Sequence, residues 1–208
     1  MRRIMEAGRL CLGLLASGRG SNFDAIMTAI IRRELNATMA VVISDNRDAA
    51  VLQKAKVHNV KNRFVNPRDF NSKSEYEQHL VELLQAESVD VVVLAGYMRI
   101  VGSVLLDAYQ DRVVNIHPSL LPSFMGLHAQ RQAVEYGVKY SGCTVHLVDE
   151  GMDTGPIIMQ AVVSVAQDDD EDSLATRILV EEHKIYWRCL QLLAEGRIYL
   201  EGRRIFIC

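Results

Sequence analysis

The chain has 208 residues, of which 49 % are hydrophobic and 24 % are charged, and its formal net charge is −3. This length and composition are typical of one globular domain with a substantial core. The slightly acidic balance excludes the basic surface that a nucleic-acid partner favours, and the apolar run near the N-terminus is too short to cross a bilayer. We therefore expect neither a nucleic-acid partner nor a membrane segment.

The four cysteines are scattered and show no Cys-x-x-Cys spacing: Cys11, Cys143, Cys189 and Cys208. This usage is typical of reduced thiols, and the first residues lack the apolar run of a secretory leader. We therefore expect a cytoplasmic protein. The six histidines are dispersed without the spacing of a zinc site, so no metal is expected.

Apolar runs alternate with amphipathic stretches along the first two thirds of the chain. Strands are predicted at Leu10–Ala16, Met39–Ser44, Asn62–Val65, Val89–Ala95 and Arg112–Ile116. Helices are predicted at Asn22–Leu35, Ala49–Asn59, Ser74–Ala86, Ser103–Tyr109 and Ala129–Tyr136. This order indicates an α/β fold with a mostly parallel twisted sheet and helices on both faces, which is Rossmann-like.

The pattern changes after residue 138. The runs Cys143–Val148 and Pro156–Val165 alternate in polarity and are predicted to pair as an antiparallel C-terminal extension. A long helix is predicted from about Asp172 to Ala194, and Arg197–Ile207 is typical of a hairpin that turns at Glu201-Gly202. Because no linker interrupts the pattern, we expect a single domain over residues 1–208.

Two polar residues stand at the end of one predicted strand. Asn115 and His117 are two residues apart, so both point to the same side of the sheet. Pro118 ends the strand because proline cannot donate a ladder hydrogen bond. The carboxyl end of such a strand is where open α/β sheets bind ligands. A single histidine beside a strand is more often structural, so a catalytic interpretation needs a second polar group nearby.

The strand that ends at Val148 supplies that second group. It runs into an acidic loop, Asp149-Glu150-Gly151-Met152-Asp153, that is followed by Gly155 and Pro156. A run of acids in a loop is usually just a solvated turn. Here the predicted sheet brings the acids towards the edge that holds Asn115 and His117, which favours a shared site.

The glycine-rich segment Ser17–Asn22 lies between the first predicted strand and the first predicted helix. Free amides at the start of a helix favour the binding of an anion. A purely structural interpretation of this segment is that Ser21 or Asn22 caps the helix. The dinucleotide fingerprint is not met, since Phe23 occupies the place of its third glycine, and no Walker lysine follows. A monophosphate site is therefore favoured over a dinucleotide site.

The long C-terminal helix carries a carboxylate on its apolar seam. Glu182 lies in line with Leu174, Ile178, Ile185, Cys189 and Leu193. A buried carboxylate without a partner is costly, so Glu182 is expected either in a core ion pair or at a ligand, where it would accept hydrogen bonds from hydroxyls.

With these motifs assembled, the chain resembles the glycinamide ribonucleotide formyltransferases, which are folate-dependent enzymes of purine synthesis. The resemblance runs from Leu10 to about Gly196 and rests on four motifs: Ser17–Asn22, Leu94–Ile100, Asn115–Pro122 and Asp149–Pro156. It implies transfer of a formyl group from the cosubstrate 10-formyltetrahydrofolate to glycinamide ribonucleotide. Both partners are small molecules, and the chain is expected to be a monomer or a homodimer.

The resemblance also implies roles for single residues. The residues that match the family's catalytic positions are Asn115, His117 and Asp153. The residues that match its ribonucleotide-binding positions are Gly20, Ser21 and Asn22 for the phosphate and Glu182 for the ribose. The residues implied for the folate are Lys73, Met98, Arg99, Ile100, Val101, Asp149, Glu150, Gly151 and Met152. Residues 10–111 would then bind the phosphate, and residues 112–208 would supply catalysis and the folate site.

Two residues depart from the family's pattern. Lys73 stands where the family often has arginine, near the expected folate glutamate; it keeps the charge but loses the bidentate fork. Met125 stands where the family often has proline, in the loop after the catalytic strand. Neither departure removes a catalytic group.

Three alternatives are weighed against this interpretation. Methionyl-tRNA formyltransferase is similar in the Asn115–Pro122 motif, but it adds a C-terminal domain and is basic. Formyltetrahydrofolate deformylase adds an N-terminal regulatory domain. A deformylase, or a transferase with another amine acceptor, is the nearest alternative within the enzymes. A non-catalytic NAD-binding module could use Asp45 on a ribose, but it explains neither His117 nor Asp153.

Overall fold

The protein is described by a computed structural model that covers all residues, 1–208. Its strands are β1 (Arg2–Arg3), β2 (Leu10–Leu15), β3 (Ala37–Ser44), β4 (Lys61–Phe64), β5 (Val91–Leu94), β6 (Val113–His117), β7 (Tyr140–Leu147), β8 (Ile157–Ser164), β9 (Ile198–Glu201) and β10 (Arg204–Ile207). Its α-helices are α1 (Ser21–Ile31), α2 (Ala50–Val57), α3 (Lys73–Ala86), α4 (Ser103–Ala108), α5 (Ala129–Tyr136) and α6 (Glu171–Ala194).

Seven strands form the main sheet, in the order β4-β3-β2-β5-β6-β7-β8. The pairs from β4 across to β6 are parallel, whereas β6 with β7 and β7 with β8 are antiparallel. This confirms the predicted parallel sheet and its antiparallel extension. The chain steps outward from β2 to β4 and then returns to β5 on the other side of β2. The carboxyl ends of β2 and β5 therefore form the switch point at which such sheets bind ligands.

Helices cover both faces of the sheet, as the apolar runs predict. Side chains alternate along β2, so Leu12 and Leu14 join a core cluster of 37 buried residues while Leu15 joins a cluster of 15 on the opposite face. The larger cluster contains residues of α1, α2 and α6, and the smaller one contains residues of α3 and α4. Truncating a fully buried leucine in such a core typically costs about 2–5 kcal/mol.

Helix α6 is anchored at its start and at its middle. Asp170 accepts a hydrogen bond from the Ser173 amide at 2.8 Å, and the Ser173 hydroxyl accepts one from the Asp170 amide at 3.0 Å, which forms a capping box. Further along, the buried Tyr186 hydroxyl lies 2.8 Å from the Leu94 carbonyl and 2.9 Å from the Val114 carbonyl. The helix is therefore fixed over β5 and β6, the two strands that lead into the predicted site.

Two details differ from the sequence prediction: the end of one helix and the presence of an additional short strand. Helix α1 ends at Ile31 and not at Leu35, because Arg33 takes a left-handed conformation with φ 60°. The terminal hairpin of β9 and β10 does not join the main sheet but pairs with β1, a two-residue strand that was not predicted. Two exposed arginines carry no apolar alternation, so the sequence gives no signal for β1.

Other element boundaries agree with the prediction within three residues. All four cysteines are free thiols. No helix is both long enough and apolar enough to cross a membrane.

Candidate active site

The predicted polar residues meet at the carboxyl end of β6. Asn115 pairs with Leu94 of β5 on one side and with His146 of β7 on the other. Asn115 is half-buried, while His117 and His146 are 5 % and 2 % exposed. The acidic loop after β7 folds back over this pair, so Asp153 lies beside both histidines.

His146 was not among the predicted site residues, yet it orients Asn115. The His146 Nδ1 donates to the Leu147 carbonyl at 2.8 Å, so in the neutral ring Nε2 is an acceptor, and it receives the Asn115 amide at 3.2 Å. Burial lowers the pKa of His146 and favours this neutral form. One amide hydrogen of Asn115 is thereby used, and the second is left for a ligand.

His117 faces an acceptor at each ring nitrogen. Its Nδ1 lies 3.3 Å from Asp153 Oδ2, and its Nε2 lies 2.9 Å from the Phe124 carbonyl. The carbonyl oxygen can only accept, so Nε2 carries the hydrogen of that contact, and the carboxylate faces the opposite nitrogen. His117 is therefore held between two groups that accept hydrogen bonds.

Asp153 joins the acidic loop to the loop that follows β6. Its Oδ2 also accepts a hydrogen bond from the Gly126 amide at 2.9 Å, and its Oδ1 lies 3.8 Å from His146 Nε2. The backbone of Asp153 is left-handed, with φ 55°, and such a conformation in a non-glycine residue is held only by its surroundings. One carboxylate thus positions His117 and the 122–128 segment together.

The other acidic residues of the loop do not reach His117. Asp149 is turned inward: its Oδ1 accepts from the Thr154 hydroxyl at 2.6 Å and from the Gly151 amide at 3.2 Å. A Cβ at Gly151 would lie 2.0 Å from the Thr154 hydroxyl oxygen, so this tight turn requires glycine. Glu150 and Met152 are exposed.

The glycine loop leads into α1 with an uncapped start. Gly20 is the residue before the helix, with φ 70°, and no side chain caps the helix amides. The capping explanation by Ser21 or Asn22 is therefore wrong, because both residues lie inside the helix. A Cβ at Gly20 would lie 2.6 Å from Val51 Cγ2, so the close approach of α2 also demands glycine here. The first amides of α1 remain open to an anion.

Ser17 ties the glycine loop to the loop after β5. Its amide donates to the Gly96 carbonyl at 3.0 Å, and its hydroxyl accepts from the Met98 amide at 3.0 Å. These are the loops at the carboxyl ends of β2 and β5, which flank the switch point of the sheet. The predicted phosphate and folate segments are therefore in direct contact.

Glu182 lies on the buried seam of α6, as the sequence indicates, and its partner is Asn22. The Asn22 amide donates to Glu182 Oε2 at 2.9 Å, and the two residues are 7 % and 8 % exposed. Burial raises the pKa of Glu182, while the Asn22 hydrogen bond and the positive charge of Arg19 oppose the rise. The Asn22 Oδ1 is buried without a hydrogen-bond partner.

The residues implied for the folate fall into two groups. Met98 and Ile100 are 64 % and 55 % exposed and, with Arg99, present a surface beside the glycine loop. Val101 is buried in the core, so only its backbone is available to a ligand. Lys73 lies with its Nζ 3.7 Å from the buried Glu77 carboxylate, and that carboxylate also accepts from the Gly102 amide at 2.7 Å.

No group of three or more His, Cys, Asp or Glu side chains is arranged to hold a metal ion. The site offers hydrogen-bond donors, one carboxylate beside His117 and the free amides at the start of α1. These groups suit a reaction in which an oxygen atom gains negative charge.

Comparison with known proteins agrees with this arrangement. Residues 12–190 match the formyl transferase family. Phosphoribosylglycinamide formyltransferase of Bacillus subtilis (strain 168) is 42 % identical over 173 residues, which cover 83 % of this chain and 89 % of that protein. The trifunctional purine biosynthetic protein adenosine-3 of Drosophila melanogaster is 42 % identical over 94 % of this chain, which spans 15 % of that longer protein.

A solved structure gives the same result. Glycinamide ribonucleotide transformylase 1 from Symbiobacterium toebii is 47 % identical and superimposes with a TM-score of 0.94, covering 98 % of this chain and 94 % of that chain. The chain therefore belongs to the formyl transferase family and, within it, to the phosphoribosylglycinamide formyltransferases.

Proposed function

We propose that this protein transfers the formyl group of 10-formyltetrahydrofolate to the amine of glycinamide ribonucleotide in purine synthesis, giving formylglycinamide ribonucleotide and tetrahydrofolate. The observation that carries the proposal is the 3.3 Å contact between His117 Nδ1 and Asp153 Oδ2, at the strand end that also holds Asn115. The family relationship supports the same reaction. The four free thiols fit the reducing conditions of the cytoplasm.

Residues 10–111 would bind the phosphate of the ribonucleotide. The uncapped amides at Ser21 and Asn22 and the positive end of the α1 dipole favour an anion, and Gly20 allows its close approach. Glu182 would accept hydrogen bonds from the ribose hydroxyls. Its second oxygen, Oε1, is not engaged by Asn22, so the carboxylate can bind a hydroxyl without losing its present partner.

Residues 112–208 would supply catalysis and, together with the segment after β5, the folate site. The exposed side chains of Met98 and Ile100 offer apolar surface for a ring, and Arg99 and Lys73 offer charge for its carboxylates. The backbone of Asp149–Met152 would provide polar contacts on the other side, since the Asp149 side chain is used inside the loop.

The chemical step begins with attack of the amine nitrogen on the formyl carbon. The carbonyl oxygen of the tetrahedral intermediate becomes negative, and the free amide hydrogen of Asn115 and an N–H of His117 would donate to it. The bond from the carbon to the folate nitrogen then breaks. Asp153 would help to carry the proton lost by the amine to that leaving nitrogen. Removing one donor to such an oxyanion typically costs about 10²–10³ in rate.

His117 would have to change partners during this step. Its Nε2 donates to the Phe124 carbonyl at 2.9 Å. Donation to the oxyanion would replace that neutral acceptor with a charged one, which forms a stronger hydrogen bond. The exchange would release the loop residue Phe124 while Asp153 keeps hold of the opposite nitrogen.

The proposed reaction is tested by measuring tetrahydrofolate formation with and without glycinamide ribonucleotide. We expect product only when the ribonucleotide is present. Equal product formation in its absence would assign the protein to formyltetrahydrofolate hydrolysis and contradict the proposal. A titration with NADH in place of the folate should show no binding, because the dinucleotide fingerprint is absent.

A further inference from the structure

The turn of the terminal hairpin contacts the acidic loop that carries Asp153. Gly202 and Arg203 form the two-residue turn between β9 and β10, and Gly202 takes the left-handed conformation, with φ 58°, that such tight turns favour. From this turn the Arg203 guanidinium donates a hydrogen bond to the carbonyl of Thr154, the residue that follows Asp153. The hairpin therefore reaches the loop that supplies the carboxylate at His117.

The hairpin is a firm support for this contact, because it packs on the main core. Ile198 of β9 is 1 % exposed and belongs to the larger core cluster, and Ile205 of β10 packs against that cluster. Strand β9 pairs with β1 along one edge and with β10 along the other. The turn at Arg203 therefore cannot shift without disturbing buried side chains and a three-stranded sheet.

The acidic loop needs support near Asp153. A hydrogen bond from the Leu147 amide to the Pro156 carbonyl, 2.9 Å long, closes the base of the loop. Asp153 lies between these two ends in its left-handed conformation, which costs free energy and persists only where the surroundings enforce it. The bond from Arg203 to the Thr154 carbonyl fixes the backbone directly beside this strained residue.

Charge favours the same contact. The acidic loop carries three carboxylates within the five residues 149–153, and a cation beside such a loop is attracted to it. Arg203 has the Thr154 carbonyl as its partner, whereas Arg197, just before β9, is paired with the Glu195 carboxylate at 3.1 Å. The Arg203 charge is therefore not neutralised within the hairpin and acts on the loop.

We propose that Arg203 is a positioning residue, which holds the acidic loop in the conformation in which Asp153 faces His117. The inference rests on the proposed function, because the contact of Asp153 with His117 is the observation that carries that function. Arg203 acts through the backbone of Thr154 and the carboxylate of Asp153, and not on the substrates. A small misplacement of a catalytic group lowers the rate strongly, so this surface contact sets part of kcat.

The first test is Arg203→Ala, which removes the hydrogen bond and the charge from an exposed position and should leave the fold intact. With both substrates saturating, we expect kcat to fall by about tenfold. The KM for the ribonucleotide should stay within about twofold, because Gly20 and Glu182 belong to other elements and keep their contacts. Arg203→Lys keeps the charge and a donor, and should recover at least about half of the original kcat.

A double-mutant cycle shows whether Arg203 acts through Asp153. In the Asp153→Asn background, we expect Arg203→Ala to lower kcat by less than about twofold, because the carboxylate that it positions is already absent. A merely structural contribution would lower kcat by the same factor in both backgrounds.

Arg204→Ala is the matched control. Arg204 is the next residue, is also exposed, and lies with its Cζ 5.2 Å from the centroid of the Phe206 ring within β10. Its removal changes the net charge equally but leaves the bond to Thr154 in place. This variant should keep full kcat.

The inference is overturned by an unchanged kcat in Arg203→Ala, by an equal loss of kcat in the Asp153→Asn background, or by an equal loss in Arg204→Ala. If the unmodified protein forms no tetrahydrofolate from the two substrates, the proposed function itself is contradicted. The two failures are therefore distinguishable.

Discussion

The side-chain amide of Asn22 in α1 donates to the buried carboxylate of Glu182 in α6 at 2.9 Å, which joins the first and last helices of the chain. This bond lies directly behind the start of α1, where the phosphate of the substrate is proposed to bind. The Glu182 carboxylate therefore has two roles: one oxygen accepts a hydrogen bond from α1, and the other oxygen is proposed to bind the ribose. Removing its charge should therefore affect the stability of the fold and the binding of the ribonucleotide in opposite directions.

Glu182→Gln should separate those effects. Because burial raises the pKa of Glu182, the ionised group is disfavoured in the folded protein, and the glutamine variant should melt at the same or a higher temperature at pH 7. The difference should shrink as pH falls through the raised pKa of the folded protein, because the buried carboxyl of Glu182 then takes up a proton. The KM for glycinamide ribonucleotide should rise by about tenfold, since a charged acceptor is lost. Calorimetry measures the melting temperature, and steady-state kinetics measure the KM. A rise in the folate KM alone would contradict the ribose role.

His117→Ala and Asp153→Asn should each lower kcat by about 10²–10³, because the oxyanion would lose a donor or the group that positions it. Asp153→Asn keeps the size of the side chain and so tests the charge. Circular dichroism should show an unchanged fold. Turnover like that of the unmodified protein in either variant would remove that residue from the catalytic set. Glu150→Gln, in the same loop but exposed, is the matched control and should keep full kcat.

His146→Ala should lower kcat by about tenfold while leaving both KM values near their original level. The reason is that Asn115 would lose the acceptor that orients its amide. Burial lowers the pKa of His146, so the neutral acceptor persists through the neutral range and is lost only when the pH falls below that lowered pKa. Its contribution to stability is accordingly present above the unfolded pKa and disappears as pH falls. A pH–rate profile measures this; an unchanged kcat in the variant would show that Asn115 needs no support.

Gly20→Ala should destabilise the fold by about 1–3 kcal/mol and raise the KM for the ribonucleotide. The new Cβ would require a left-handed alanine and would lie 2.6 Å from Val51 Cγ2. Gly18→Ala, in the same loop, is the control: it has no atom within 4 Å of the added Cβ and should be nearly neutral in stability. Urea unfolding measures both. Equal free energies of unfolding for the two variants would mean that α2 shifts at no cost.

The sequence predicts those parts of the fold that follow from apolar periodicity. The runs around Val91–Leu94 and the seam of α6 are long and regular, so their elements appear where expected. The predicted end of α1 was wrong because no glycine or proline marks the true end. A left-handed arginine, Arg33, terminates the helix instead. The strand β1 could not be predicted because its pairing partner is nearly 200 residues away in sequence.

The candidate site shows the same division. Asn115, His117 and Asp153 carry motif and polarity signals that can be found in the sequence, and the structure brings them together. His146 lacks such a signal, because a histidine in an alternating strand is ordinary until its cross-strand neighbour is known.

The hydrogen bonds of Ser17 have a consequence for how the two substrates act on each other. Because one serine joins the loop after β2 to the loop after β5, neither loop can shift without breaking bonds to the other. A ribonucleotide that orders the first loop would therefore pre-organise the second for the folate, and thermodynamic reciprocity requires the folate to tighten ribonucleotide binding by the same factor. We therefore expect Ser17 to couple the affinity for one substrate to the affinity for the other.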